Sequence, residues 1–84
     1  MYYDLTLGEL LNSSFDLACD VEIYDCTHDY DTDNLYWNEG GRLVVSSYNC
    51  SASDVEAVDP ELLNGKIQYV TVSGKCVLII EVVK

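Results

Sequence analysis

The spacing of apolar residues changes several times along the chain, and each change predicts an element. In "LTLGELLNSSF", Leu7, Leu10, Leu11 and Phe15 recur at helical spacing, and Thr6 with Glu9 has the spacing of a capping box. This predicts a short amphipathic helix that Asn12, Ser13 and Ser14 stop. "LACDVEIYDCT" then alternates, with Leu17, Cys19, Val21 and Ile23 on one face and Asp20, Glu22, Tyr24 and Cys26 on the other. Period two with β-branched residues predicts a strand whose far face carries acids and a tyrosine. The acidic stretch "DCTHDYDTDN" follows at 25–34, and "NLYWNEGGRLVVSS" offers the returning strand, whole or broken at Gly40-Gly41. Residues 17–47 therefore read as a long hairpin with the acids at its tip.

"SASDVEAVDPELLNG" carries helix punctuation. Ser53 with Glu56 has capping-box spacing, Asp59-Pro60 places an N-cap before a proline at the first helical position, and Gly65 is the stop. One or two short helical turns are expected. In "KIQYVTVSGKCVLIIEVVK", two strands flank Ser73-Gly74, a two-residue hairpin signal. Val77, Ile79 and Val83 are apolar on one face, and Cys76, Leu78, Ile80 and Val82 on the other, so this strand is either central in the sheet or at a subunit interface. Lys75 and Lys84 flank it as charged gatekeepers. The order of helix, hairpin, short helical turns and hairpin predicts an α+β layer with a mostly antiparallel sheet, a single domain over 1–84.

Composition supports a folded chain: 49% of 84 residues are hydrophobic, with seven tyrosines and one proline. Charge narrows the functional classes. The chain has 15 acidic and 4 basic residues, a net charge of -11. Residues 1–41 hold ten of the acids and no lysine or arginine. Such a field repels nucleic acid and anionic membrane and attracts basic partners in a salt-sensitive way. No apolar run reaches the ~20 residues of a membrane helix, and "MYYDLTLGEL" lacks the positive start of a signal peptide. A cytoplasmic location is expected, with Cys19, Cys26, Cys50 and Cys76 as reduced, mostly buried thiols.

The acidic hairpin invites three chemical readings. Asp29, Asp31 and Asp33 match the first positions of a calcium loop, but Asn34 stands where glycine makes the turn and Gly40 where a bidentate glutamate is needed. Cys26 and His28 share a strand face, yet no paired C-x-x-C completes a zinc site. Nucleophilic catalysis by Cys26 needs an electropositive neighbourhood, and this one is acidic. No phosphate-binding glycine loop or nucleophile elbow is present. The chain reads as a non-enzyme without cofactor or metal. What remains is a surface. Asp20, Glu22, Asp25, Asp29, Asp31 and Asp33 form rows of like charge, with Tyr24, Tyr30, Tyr36 and Trp37 as aromatic anchors for a partner.

"LTLGELL", "VEIYDC" and "LLNGKIQYVTVSGKCVLIIEV" together resemble a set of small acidic proteins carried by phages and conjugative elements of Gram-positive gut bacteria. The resemblance rests on both ends of the chain, and the central "GGRLVVSSYNCSAS" departs from it. It implies an inhibitor that mimics nucleic-acid phosphates, similar to anti-CRISPR proteins in size and charge. Its partner would be a basic nucleic-acid-binding host protein such as a CRISPR effector. The other reading is an adaptor that homodimerises through the apolar hairpin at 67–83, with acidity serving solubility alone.

Overall fold

The computed structural model describes residues 5–12, 18–27 and 41–84. Five-residue α1 (Leu7–Leu11) begins at Thr6 with the expected capping box. The Glu9 amide donates to Thr6 Oγ1 at 3.1 Å, and the Thr6 amide donates back to Glu9 Oε1 at 2.9 Å. β1 (Asp20–Asp25) and β2 (Arg42–Tyr48) follow, then α2 (Ala52–Glu56), a 3-10 turn (Pro60–Asn64), β3 (Lys66–Val72) and β4 (Val77–Val83).

The four strands form one sheet in the order β2-β1-β4-β3. β1 with β2 and β3 with β4 are antiparallel pairs, and the two hairpins meet through a parallel pairing of β1 with β4. This settles the two-faced apolar strand. β4 is interior, and Ile79, Ile80 and Val82 are all buried. Leu7, Val55 and Leu62 from the helical layer close over Val21, Ile23, Val45, Ile67, Ile80 and Val82. Two layers therefore enclose one core, and the opposite face of the sheet is the outer one. The chain entering α1 is tied to the start of β3, since the Ile67 amide donates to the Leu5 carbonyl at 2.9 Å and the Leu7 amide to that of Gly65 at 3.0 Å.

Two local expectations are corrected. The helix α2 is capped at Ser51 rather than Ser53. Asn49, in the left-handed region at φ 51°, turns the chain out of β2 and leaves Ser51 extended, the conformation an N-cap requires. The Ser51 amide then donates to Asp54 Oδ2 at 2.9 Å. The β3–β4 connection is also longer than two residues. The Ser73 amide donates to the Val77 carbonyl at 2.9 Å and the Cys76 amide to that of Ser73 at 3.0 Å, enclosing Gly74, Lys75 and Cys76. Cys76, with φ 62°, takes the left-handed position, and Gly74 does not. The Ser73 hydroxyl, accepting from the Lys75 and Val77 amides, fixes that form.

Among the described residues no helix is long and apolar enough to cross a membrane.

Candidate partner-binding face

Alternation along β1 sends Asp20, Glu22 and Tyr24 to the outer face while Val21 and Ile23 enter the core. Asp20 stands opposite Tyr48 of β2, Glu22 opposite Ser46 and Tyr24 opposite Leu43. The Tyr24 hydroxyl donates to Glu22 Oε1 at 2.9 Å, which holds both half-buried side chains in one arrangement. Tyr48 is 66% exposed beside exposed Asp20. Its place in the array was not foreseen. The signal was available in the period-two spacing of Ser46 and Tyr48, outward positions on the strand that returns beside β1. The remaining expected contact residues, Asp29, Tyr30, Asp31, Asp33, Tyr36 and Trp37, lie outside the described residues, as does His28.

Asp25 does not belong to the outward row. It follows Val21 and Ile23 into the buried parity of β1 and is only 2% exposed. Its carboxylate lies 3.6 Å from Lys84 Nζ and 3.8 Å from Arg42 Nη2, and it accepts from the Thr27 amide at 2.9 Å and from the Thr27 hydroxyl. Burial pushes the Asp25 pKa up, but the two Thr27 hydrogen bonds with Lys84 and Arg42 outweigh it and hold the group below its ordinary value. Lys84 also pairs with Asp59 at 2.8 Å, and its own amide donates to Thr27 Oγ1 at 2.9 Å. Lys84 is therefore more than a gatekeeper. It ties the end of β4 to β1 and to the start of the 3-10 turn.

The outer face holds a second acid that the sequence reading passed over. Glu81, on β4 directly beside Tyr24 of β1 and Tyr69 of β3, is 4% exposed. Gln68 Nε2 and Cys26 Sγ both donate to its Oε1, at 3.3 and 3.7 Å. Its Oε2 is buried with no hydrogen-bond partner among the described residues. A register shift between Ile67 and Tyr69 places Gln68 in a bulge, so that it also reaches Glu81. Burial raises the Glu81 pKa against the opposing Gln68 and Cys26 hydrogen bonds. The Cys26 thiol is pushed up to about 12, by burial first and by the Glu81 charge second, so it remains a donor and a poor nucleophile. The sequence signal was a lone acid inside "VLIIEVV", where every neighbour is apolar.

All four cysteines are free thiols; Cys50 is buried, Cys19 and Cys26 are half-buried, and Cys76 is exposed on the hairpin loop. None of the protein-family models, curated proteins or solved structures compared with the chain matches it.

Proposed function

We propose that the protein is a non-enzymatic acidic inhibitor that occupies the basic groove of a nucleic-acid-binding host protein in the bacterial cytoplasm, as an anti-CRISPR protein would occupy the groove of a CRISPR effector. The observation that carries this reading is how the fold spends its few cations. Arg42 and Lys84, two of the four basic residues, are turned onto Asp25 and Asp59. Glu9, Asp20, Asp54, Glu56 and Glu61 remain exposed, and Lys66 and Lys75 are the other two basic residues. With those two cations held on Asp25 and Asp59, the net charge of -11 rests on the other carboxylates, which favours fast, salt-sensitive capture of a basic partner. On the outer face, Asp20 and Glu22 alternate along one strand at ~6.7 Å, a scale comparable to backbone phosphates, with Tyr24 and Tyr48 as rigid aromatic area beside them.

The test is affinity capture of DNA-binding host proteins at low and moderate salt, with three chains compared. One is native, one carries Asp20→Asn, Glu22→Gln and Tyr48→Ala, and one carries Asp29, Asp31 and Asp33 changed to asparagine. Asp25 is left intact, because it supports the fold. Retention by the native chain that salt releases, that either variant loses and that DNA competes away is expected. Retention unchanged by salt and by both variants sinks the proposal.

The adaptor reading keeps one observation in its favour. Val70 and Val72 are exposed on edge strand β3, 38% and 62% respectively. Sedimentation of Val72→Lys against the native chain separates the two, since a dimer built on that edge is lost in the variant.

A further inference from the structure

Glu81 is unusual in having its two carboxyl oxygens in different situations. Gln68 Nε2 and Cys26 Sγ both converge on Oε1, while Oε2 is buried without a partner among the described residues. An ionised carboxylate carries equivalent charge on both oxygens and needs donors or a cation at each. A neutral acid keeps its carbonyl oxygen as the acceptor for both donors and leaves only an unpaired hydroxyl at Oε2, which costs less to bury than an uncompensated charge. No cation lies within ion-pair distance of Glu81 among the described residues, whose ion pairs all fall on Asp25 and Asp59.

We propose that Glu81 is a proton-operated latch on edge strand β3: with its proton in place β3 closes over the central strand, and on losing it the β3–β4 pairing opens at the Gln68 bulge to admit water. The location makes opening local. Gln68 sits in the register shift of the β3–β4 ladder, where pairing is already interrupted, and beyond the Leu5–Leu7 contact at its first residues β3 is held by β4 alone among the described strands. β1, on the other side of β4, is itself held by β2, so water enters from the β3 side at smaller expense of structure.

The groups that face Glu81 set the direction of the response. Among the described residues these are, from β1, Glu22, Tyr24 and, just beyond the strand, Cys26, and from β3, Tyr69 and, further along, Lys66. Glu22 and the thiol add no stabilising positive charge, and Lys66 acts on Glu9. Arg42 is directed to Asp25 on the other side of the sheet. Burial accordingly favours the protonated acid, and its pKa is raised.

The test is native-state hydrogen exchange by NMR on the full chain across a pH series, corrected for the intrinsic pH dependence of exchange, with the Glu81 carboxyl carbon titrated in the same samples. Protection of β3 amides should fall as pH rises through the Glu81 titration, by up to about tenfold per pH unit for one linked proton, while β2 amides change little. In Glu81→Gln, which keeps the shape and cannot ionise, β3 protection should be flat across the same range. If Glu81 titrates with the ordinary carboxylates, if β2 and β3 lose protection together, or if the Gln variant keeps the native pH profile, the latch is overturned. Should that variant not fold, the native chain still decides: the midpoint of β3 opening either coincides with the Glu81 titration or refutes the proposal.

Discussion

Single residues in this small domain carry opposite obligations to charge and to backbone shape. Among the described residues, Asp25 is a buried acid that meets Lys84, Arg42 and both donors of Thr27, whereas Glu81 is a buried acid with Gln68 and Cys26 donating to one oxygen. Asp25→Asn keeps an oxygen for Thr27 but removes the charge that Lys84 and Arg42 meet. Because those partners are partly exposed, we expect a loss of about 1–2 kcal/mol at neutral pH, read by urea denaturation. The two acids also bend the pH profile in opposite senses. Asp25, lowered in the folded state, stabilises above its unfolded pKa, and that stability is lost as pH falls through its folded pKa. Glu81, raised in the folded state, is best accommodated below its unfolded pKa, and stability is lost as pH rises through its folded pKa. Asparagine at 25 should flatten the acid limb and glutamine at 81 the opposite one, each leaving the other in place. At the hairpin loop, Cys76 holds a left-handed backbone at φ 62° that glycine adopts without strain. Cys76→Gly should therefore stabilise by about 0.5–1 kcal/mol. Gly74 has open space around it and an ordinary φ, so Gly74→Ala should also be stabilising, by about 0.4–1 kcal/mol.

The elements were legible where a period or a cap is strong, and illegible where tertiary contacts choose between equal local options. Thr6 and Glu9 announced α1, alternation announced β1, and Pro60 with Gly65 bounded the 3-10 turn as expected. Ser51-Asp54 and Ser53-Glu56 are overlapping frames of the same cap, and only the path out of β2 through Asn49 selects the first. The dipeptide Ser73-Gly74 suggested a two-residue turn because glycine usually takes the left-handed position, and the Ser73 hydroxyl bonds moved that position to Cys76. Asp25 was expected among the outward acids because of its charge, although it shares the parity of Val21 and Ile23, and the cations that let it be buried, Arg42 and Lys84, come from 17 and 59 positions downstream. The parallel β1–β4 pairing is likewise non-local. Its closeness to the helical layer is testable at Gly65, where an added Cβ would run into Val82 Cγ1 and meet the Leu62 and Val83 carbonyl oxygens at 3.1 Å. Gly65→Ala should destabilise by about 1–3 kcal/mol through overpacking, although its φ of -71° suits any residue. A thermal melt that leaves this variant unchanged would mean that β4 yields there.

At the scale of the whole molecule, one quantity acts on stability and on binding with opposite sign. A net charge of -11 on 84 residues loads the compact state with self-repulsion, and the internal pairs of Arg42 and Lys84 relieve only part of it. Added salt screens exposed charges over a Debye length that shrinks from about 30 Å at about 0.01 M to about 8 Å at about 0.15 M. The long-range repulsion among many exposed carboxylates is screened more fully than the short contacts at Asp25, which is nearly inaccessible to solvent. The melting temperature should therefore rise across that range of salt. Binding to a basic groove depends on the same exposed charges acting across an interface, so its association rate should fall over the same range. Both can be measured on one sample series, by thermal denaturation and by association kinetics with a captured partner. Opposed slopes tie the acidity to recognition, held against a penalty in stability. If affinity instead survives salt while the melting temperature rises, the acidity bears on solubility and folding alone, and the exposed valines of β3 become the surface to test.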